Sequence, residues 1–392
     1  MSRAAASAPG KVILMGEHAV VYGCPAVVAA LDLRLTATVE IAPRAARGAD
    51  LGPGEVEMQL PQLSWHQRLP WSELRSYARG RRTAWQRYAR DPSPEAFAAV
   101  RGENPSHLVC IALGEAADSL GLREPPSLRI SLSSAIPLGS GFGSSAAAAA
   151  ALLHAFFSAL GESPSLERLE PLALEVERRQ HGNPSGVDTA TVLHGGLGWA
   201  RRQEQGVQRR PLPVAEGALR GLRIFDSGPP AEDTGTAVEA VRQLRQREGD
   251  AFEHRLRRME AFTESFCQAL AVGGGAVGGK ASTGPGVAHD GDALIRAMSG
   301  FQRCLEELGV VPKGVRDIVR AVEHHGGAAK ISGAGSLGGP GAGSLLVYHP
   351  QPAAMDSWPC LAPLTAYPVS LGAEGVRSES WPTAEPHQRR KS

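Results

Sequence analysis

Seven polar residues stand where a side chain could meet a ligand: Lys11, Glu17, His18, Ser144, Ser145, Glu177 and Asp188, each in or beside a glycine-rich or turn-rich stretch. The densest such stretch is IPLGSGFGSSAAAAAA, Ile136 to Ala151. Gly139, Gly141 and Gly143 can take backbone conformations closed to residues with a Cβ, so their N–H groups can approach an anion closely. Ser144 and Ser145 suit the cap of a helix whose next six residues are alanine. The unpaired N–H groups and positive dipole end of that helix face the loop, a setting that favours phosphate. A hydroxyl there can also ligate Mg²⁺. The loop is not a Walker loop, because it holds no lysine, and it misses the dinucleotide pattern G-x-G-x-x-G because Gly143 falls one place early. It reads as a phosphate cradle of another class.

The elements that must position these residues follow from periodicity. Leu128, Ile130 and Leu132 alternate as in a half-buried strand, which Pro137 closes before the loop. Residues 9 to 41 read as strand, loop, strand, with Lys11 just inside the first strand and Glu17 and His18 in the loop after Gly16. Residues 165 to 181 form an amphipathic helix stopping at Gly182, and HGNPSGVD, 181 to 188, is a rigid turn able to aim the Asp188 carboxylate. Glu177 lies eleven residues before Asp188, so the two can meet only by way of that turn. Singly, a lysine at a strand start, a glutamate on a helix and an aspartate in a turn are ordinary surface residues.

Elsewhere, Pro43 to Pro61 reads as a loop. Residues 62 to 104 read as a helical excursion that packs Trp65, Trp71 and Trp85, and 108 to 120 as a helix. Residues 189 to 203 suggest a hairpin around His194-Gly195-Gly196, and Leu222 to Phe225 a strand. Thr234 stands at a helix start, with helices around 235–271 and 291–308 and a Gly-rich linker from Gly273 to Gly286 between them. Lys330 to Gly343, KISGAGSLGGPGAG, is a second glycine loop before a strand at Leu345 to Tyr348. The expected division is a first domain over 1–220, a second over 221–372, and a disordered polar tail over 373–392.

The chain as a whole narrows the classes. Its 392 residues, 42% hydrophobic, suit two packed domains. A net charge of +1 gives no overall field for nucleic acid or an anionic membrane. The five cysteines, at 24, 110, 267, 304 and 360, include no C-x-x-C pair, which fits a reducing cytoplasm. The N-terminal residues lack the apolar core of a signal peptide, and the apolar run Ala146 to Leu153 is too short to span a membrane.

Three separated blocks, PGKVILMGEHAVVYG, PLGSGFGSSAA and KISGAG, together resemble the GHMP kinases, whose three motifs come in this order; the resemblance covers most of residues 9 to 348. GEHAVVYG at 16–23 with HGNPSGVD at 181–188 is similar to the mevalonate kinase branch of that superfamily. The resemblance implies a two-domain α/β (α+β) fold: an N-terminal domain with the phosphate loop, a ferredoxin-like C-terminal domain, and the active site in the cleft between them. It implies ATP-dependent phosphorylation of the primary hydroxyl of (R)-mevalonate, on the route to isoprenoids. ATP would lie on Pro137, Gly139, Ser140, Gly141, Gly143, Ser144 and Ser145, and Ser145 and Glu177 would hold Mg²⁺. Asp188 would be the catalytic base with Lys11 beside it, and Glu17, His18, Thr234, Gly333 and Ala334 would contact substrate.

The third block departs from the family pattern. Ser332 replaces the usual threonine, and Ser336-Leu337 interrupts the glycine run, which puts the loop geometry there in question. Residues 62 to 104 match no family motif and are expected to shape substrate access or a homodimer contact. Two rival readings stand beside this one. Another small alcohol or phosphomevalonate could be the substrate, although a phosphorylated one needs extra basic residues in the cleft. The other rival is a non-catalytic sensor, which need not keep Lys11, Ser145, Glu177 and Asp188.

Overall fold

The structure, a computed structural model, describes residues 2–42, 51–102, 104–137, 139–204, 206–271 and 291–381. The first half runs β1 (Arg3–Met15), β2 (Pro25–Ile41), β3 (Glu55–Leu60), β4 (Trp65–Pro70), α1 (Trp71–Arg90), α2 (Pro94–Val100), α3 (His107–Ser119), β5 (Leu128–Ser134), α4 (Ser144–Ala159), α5 (Leu166–His181), α6 (Val187–His194), β6 (Leu197–Gln203) and β7 (Gly206–Pro211). The second runs β8 (Leu222–Asp226), α7 (Thr234–Glu248), α8 (Asp250–Leu270), α9 (Gly291–Glu307), α10 (Lys313–His324), β9 (Ala328–Ser332), β10 (Ser344–Tyr348), β11 (Thr365–Tyr367) and β12 (Arg377–Glu379).

The first sheet has the order β12-β1-β2-β5-β3-β4, and β6 and β7 branch from β2. Among the described residues only β3 and β5 pair in parallel. The long β2 makes the branch: Pro25–Ala29 pairs with β6, while Leu35–Ile41 pairs with β5. Its first seven residues are all buried, whereas the stretch from Asp32 on is only intermittently so, as expected where one face of a sheet meets water. Helix α4 lies across β1 and β2, with Ala146 to Leu153 wholly buried. The alanines thus do more than favour helix: small side chains let α4 sit close to the sheet and to α3 and α5.

The second sheet is antiparallel throughout, in the order β11-β8-β10-β9. Numbered by chain position within the sheet, that is 4-1-3-2, the ferredoxin-like arrangement, with α7 to α10 forming the first crossover. One contiguous buried core extends through both sheets.

Four expectations need correction. Within 43–61, residues 55–60 form β3, because Val56 and Met58 bury against the core; residues 43–50 lie outside the described residues. Trp65 starts β4, so the helical excursion begins only at Trp71. Residues 187–194 form α6, not one arm of a hairpin: Val187, Ala190, Thr191 and Leu193 are buried, and the hairpin is β6–β7. The stretch after Gly372 is not a free tail, since β12 pairs with β1. Arg34 donates to the Glu374 and Gly375 carbonyls, each at 2.7 Å, and Ser7 donates to Glu379 at 2.6 Å. The proposed linker at 273–286 and residues 382–392 lie outside the described residues.

Deleting residues 373–392 should therefore lower the unfolding midpoint in denaturant by the equivalent of about 2–4 kcal/mol, several hydrogen bonds at roughly 1 kcal/mol each. An unchanged midpoint would deny β12 a part in stability.

Candidate active site

A cleft of about 300 Å³ opens between the two sheets and gathers nearly every residue singled out above. Lys11, Glu17, His18, Pro137, Gly139, Gly141, Gly143, Ser144, Ser145, Glu177, Asp188, Thr234, Gly333 and Ala334 all line it. Ser140 does not: it is buried, and its hydroxyl donates to the Pro137 carbonyl at 2.8 Å, bracing the loop from behind.

The loop has the backbone that its glycines permit. Gly139, Gly141 and Gly143 have φ of 75°, 78° and 69°, the left-handed region that side chains resist. Gly143 caps α4 and touches Lys11; a Cβ there would lie 2.7 Å from Lys11 Cγ. The Lys11 N–H donates to the Phe142 carbonyl at 2.9 Å, which fixes the loop to β1. Three helix N-termini meet at the cleft: α4 through Ser144 and Ser145, α6 through Gly186 and Asp188, and α7 through Thr234. Their positive ends converge where an anion would lie.

Lys11 Nζ lies 3.0 Å from Asp188 Oδ2, with the lysine buried and the aspartate about one third exposed. The left-handed Gly186, φ 80°, caps α6 and sets the carboxylate at the helix's first turn. Behind this pair, Ser145 Oγ donates to Glu177 Oε1 at 2.8 Å, and His181 Nε2 lies 3.3 Å from Ser145 Oγ and 3.7 Å from Glu177 Oε2. Burial pushes the Glu177 carboxyl above its usual range, with the Asp188 charge adding to the rise, while His181, Ser145 and Lys11 counter it. Ser145 and Glu177 are oxygen donors of the kind Mg²⁺ takes. Among the described residues no three His, Cys, Asp or Glu side chains form a metal cage. That suits an ion bound by one carboxylate, a hydroxyl and substrate phosphates.

On the opposite wall, His18 has φ 57°, rare outside glycine, and its Nε2–H donates to the Ala334 carbonyl at 2.9 Å. Burial lowers its pKa, which favours the neutral ring. Ser332 Oγ accepts from the Ile13 N–H at 3.1 Å and donates to the Ile13 carbonyl at 3.0 Å. The serine hydroxyl thus ties β9 to β1, and its departure from threonine costs no hydrogen bond. The interrupted glycine run is also anchored: Glu232 accepts from Ser336 Oγ at 2.6 Å and from Leu337 N at 3.0 Å.

Sequence reasoning passed over His181, although it begins the HGNPSGVD block, and the Trp-rich excursion, which braces that block. Trp85 Nε1 donates to the Gly182 carbonyl at 2.8 Å, and a Cβ on Gly182 would lie 2.9 Å from Tyr88. No spacing rule links residues 97 positions apart.

Residues 107–196 match the model for the GHMP kinase N-terminal domain. A mevalonate kinase of Aeropyrum pernix is 31% identical over 339 residues, 86% of this chain and 87% of that one. One from Thermococcus gammatolerans is 30% identical over 346 residues, with the same coverage of 86% and 87%. Among solved structures, the Methanococcus jannaschii mevalonate kinase superposes with a TM-score of 0.67 at 18% identity, over 94% of this chain and 98% of that one. A Lactococcus lactis galactokinase reaches the same 0.67 at 13% identity, over 96% and 95%, so superposition establishes the fold and leaves the substrate to the site.

Two outcomes test the geometry. Gly143→Ala should lower turnover by about a hundredfold, the scale of a reacting group misplaced by 1 Å, since the new Cβ strains φ and pushes Lys11; steady-state kinetics on folded protein would show it. Glu177→Gln removes a carboxylate whose pKa burial raises, and such a group costs stability as pH rises from the ordinary glutamate pKa through the raised one. The variant's thermal midpoint relative to the parent should therefore increase with pH across that interval.

Proposed function

Because this chain belongs to the mevalonate kinase family, we propose that it transfers the γ-phosphoryl group of ATP to the primary hydroxyl of (R)-mevalonate, yielding 5-phosphomevalonate and ADP. The observation that carries this reading is the 3.0 Å contact between Lys11 and Asp188 at the mouth of the Gly139–Ser145 loop. Asp188 Oδ2 is held by the lysine, and the partly exposed carboxylate is the acceptor for the hydroxyl proton as the oxygen attacks phosphorus. Such positioned base catalysis is worth roughly 10²–10⁴-fold. Lys11 keeps one positive charge beside the transferring group, and the loop N–H groups and helix N-termini stabilise the charge that builds on it.

Mg²⁺ held by Ser145 and Glu177 would supply charge neutralisation on the β- and γ-phosphates. The remaining steps belong to the chain's own residues. The loop orients ATP, the strained His18 turn with Gly333 and Ala334 bounds the alcohol, and Thr234 approaches from the α7 end. Lys11 is the only lysine or arginine lining the cleft among the described residues, which favours an alcohol without a second phosphate. No described helix is long and apolar enough to cross a membrane.

ADP release coupled to a reporter reaction, with Mg-ATP and mevalonate, phosphomevalonate, homoserine or galactose each alone, tests the assignment. Turnover with mevalonate alone is expected. Turnover with another alcohol would move the substrate, and none at all would favour a ligand sensor.

A further inference from the structure

Lys330 belongs to β9 of the second sheet and has no part in the machinery described so far. Its side chain is fully buried, and its Nζ donates to Glu17 Oε1 on the other wall of the cleft and to the Ile331 carbonyl at 2.8 Å, over the Phe301 ring at 5.6 Å. Glu17 is buried as well, lines the cleft, and leaves Oε2 with no hydrogen-bond partner among the described residues.

The backbone around Glu17 is tightly constrained. Gly16 has φ 108° and lies so close to β2 that a Cβ would sit 2.5 Å from the Ala26 Cα, and His18 is also left-handed. Two side-chain contacts hold this turn: His18 to the Ala334 carbonyl and Glu17 to Lys330. Both partners come from the KISGAG segment.

We propose that Lys330 is a positioning residue for the alcohol substrate: it grips Glu17 by Oε1 and so presents Oε2 as the acceptor for a substrate hydroxyl. The inference rests on the kinase reading of the cleft. Electrostatics agree with it. Burial raises the Glu17 pKa and lowers that of Lys330, and their pairing opposes both shifts. Without the ammonium, a carboxylate so far from water takes up a proton and ceases to be a pure acceptor.

Lys330→Met keeps an unbranched side chain, one heavy atom shorter, and removes the charge. The KM for mevalonate should rise at least tenfold while the KM for ATP stays within twofold, and kcat/KM for mevalonate should climb with pH as Glu17 ionises late. Difference infrared spectroscopy gives a reading that needs no turnover. A protonated carboxyl band should appear in Lys330→Met at neutral pH, be absent at that position in the parent, and vanish again in Lys330→Met/Glu17→Gln. A parent inactive on mevalonate would overturn the substrate reading, and the infrared band would still decide the role of Lys330. An unchanged KM for mevalonate, equal rises in both KM values, or no new band would overturn the proposal. Should Lys330→Met not fold, Lys330→Met/Glu17→Gln, which removes both charges of the pair, is expected to fold, bind ATP normally and show the raised KM for mevalonate; a parental KM in it would overturn the proposal.

Discussion

The contact between the Lys11 ammonium and the Asp188 carboxylate is the constraint on which the rest of the cleft depends. It joins the first strand to the first turn of α6, where Asp188 lies 177 residues after Lys11, and separate local contacts bring each partner to the pair. Lys11 is fixed at its backbone by Phe142 and along its stem by Gly143, so the phosphate loop and the lysine set each other's position. Asp188 is fixed by the left-handed Gly186 and by a turn that Trp85, Tyr88 and Phe97 enclose. The aromatic excursion of the first domain therefore acts on the reacting groups through the turn it packs against.

A second constraint is electrostatic. Three helix N-termini and one lysine face a single cleft, and carboxylates stand on both walls. A polyanionic nucleotide enters a field of oriented N–H groups that need no reorganisation during transfer. The carboxylates on the two walls are handled differently. Glu17 is paired with Lys330, while Glu177 is desolvated beside a serine and a histidine, with its pKa raised. A carboxylate held at such a cost is one whose charge is stabilised when a cation joins it, which is the physical sense of placing it beside the Ser145 hydroxyl.

Much of this arrangement was legible in the sequence, and for identifiable reasons. Glycines at 139, 141 and 143 declare a backbone that only glycine adopts easily, and the alanine run declares a helix start, so the cradle could be placed from local chemistry. Lys11, Glu17, His18, Glu177 and Asp188 were each ambiguous alone and informative together, because separated blocks in one order are rarer than any one of them. What stayed hidden was set at long range. Helix α6 was misread because its buried positions follow packing against α4 and α5, not an obvious repeat. The stretch from Glu374 to Glu379 was misread as tail because its partners, Arg34 and Ser7, lie more than 300 residues away. Lys330 is part of a recognisable block, yet nothing in its neighbours says that its partner is Glu17.

The most direct test of this account is Asp188→Asn, which keeps the shape of the side chain and removes its charge and its capacity to take a proton. ATP affinity by calorimetry should be nearly unchanged while kcat falls by roughly 10²–10⁴-fold, the range expected for a positioned base. An Asp188→Asn protein that turns over within a few fold of the parent would contradict the role given to the Lys11–Asp188 pair.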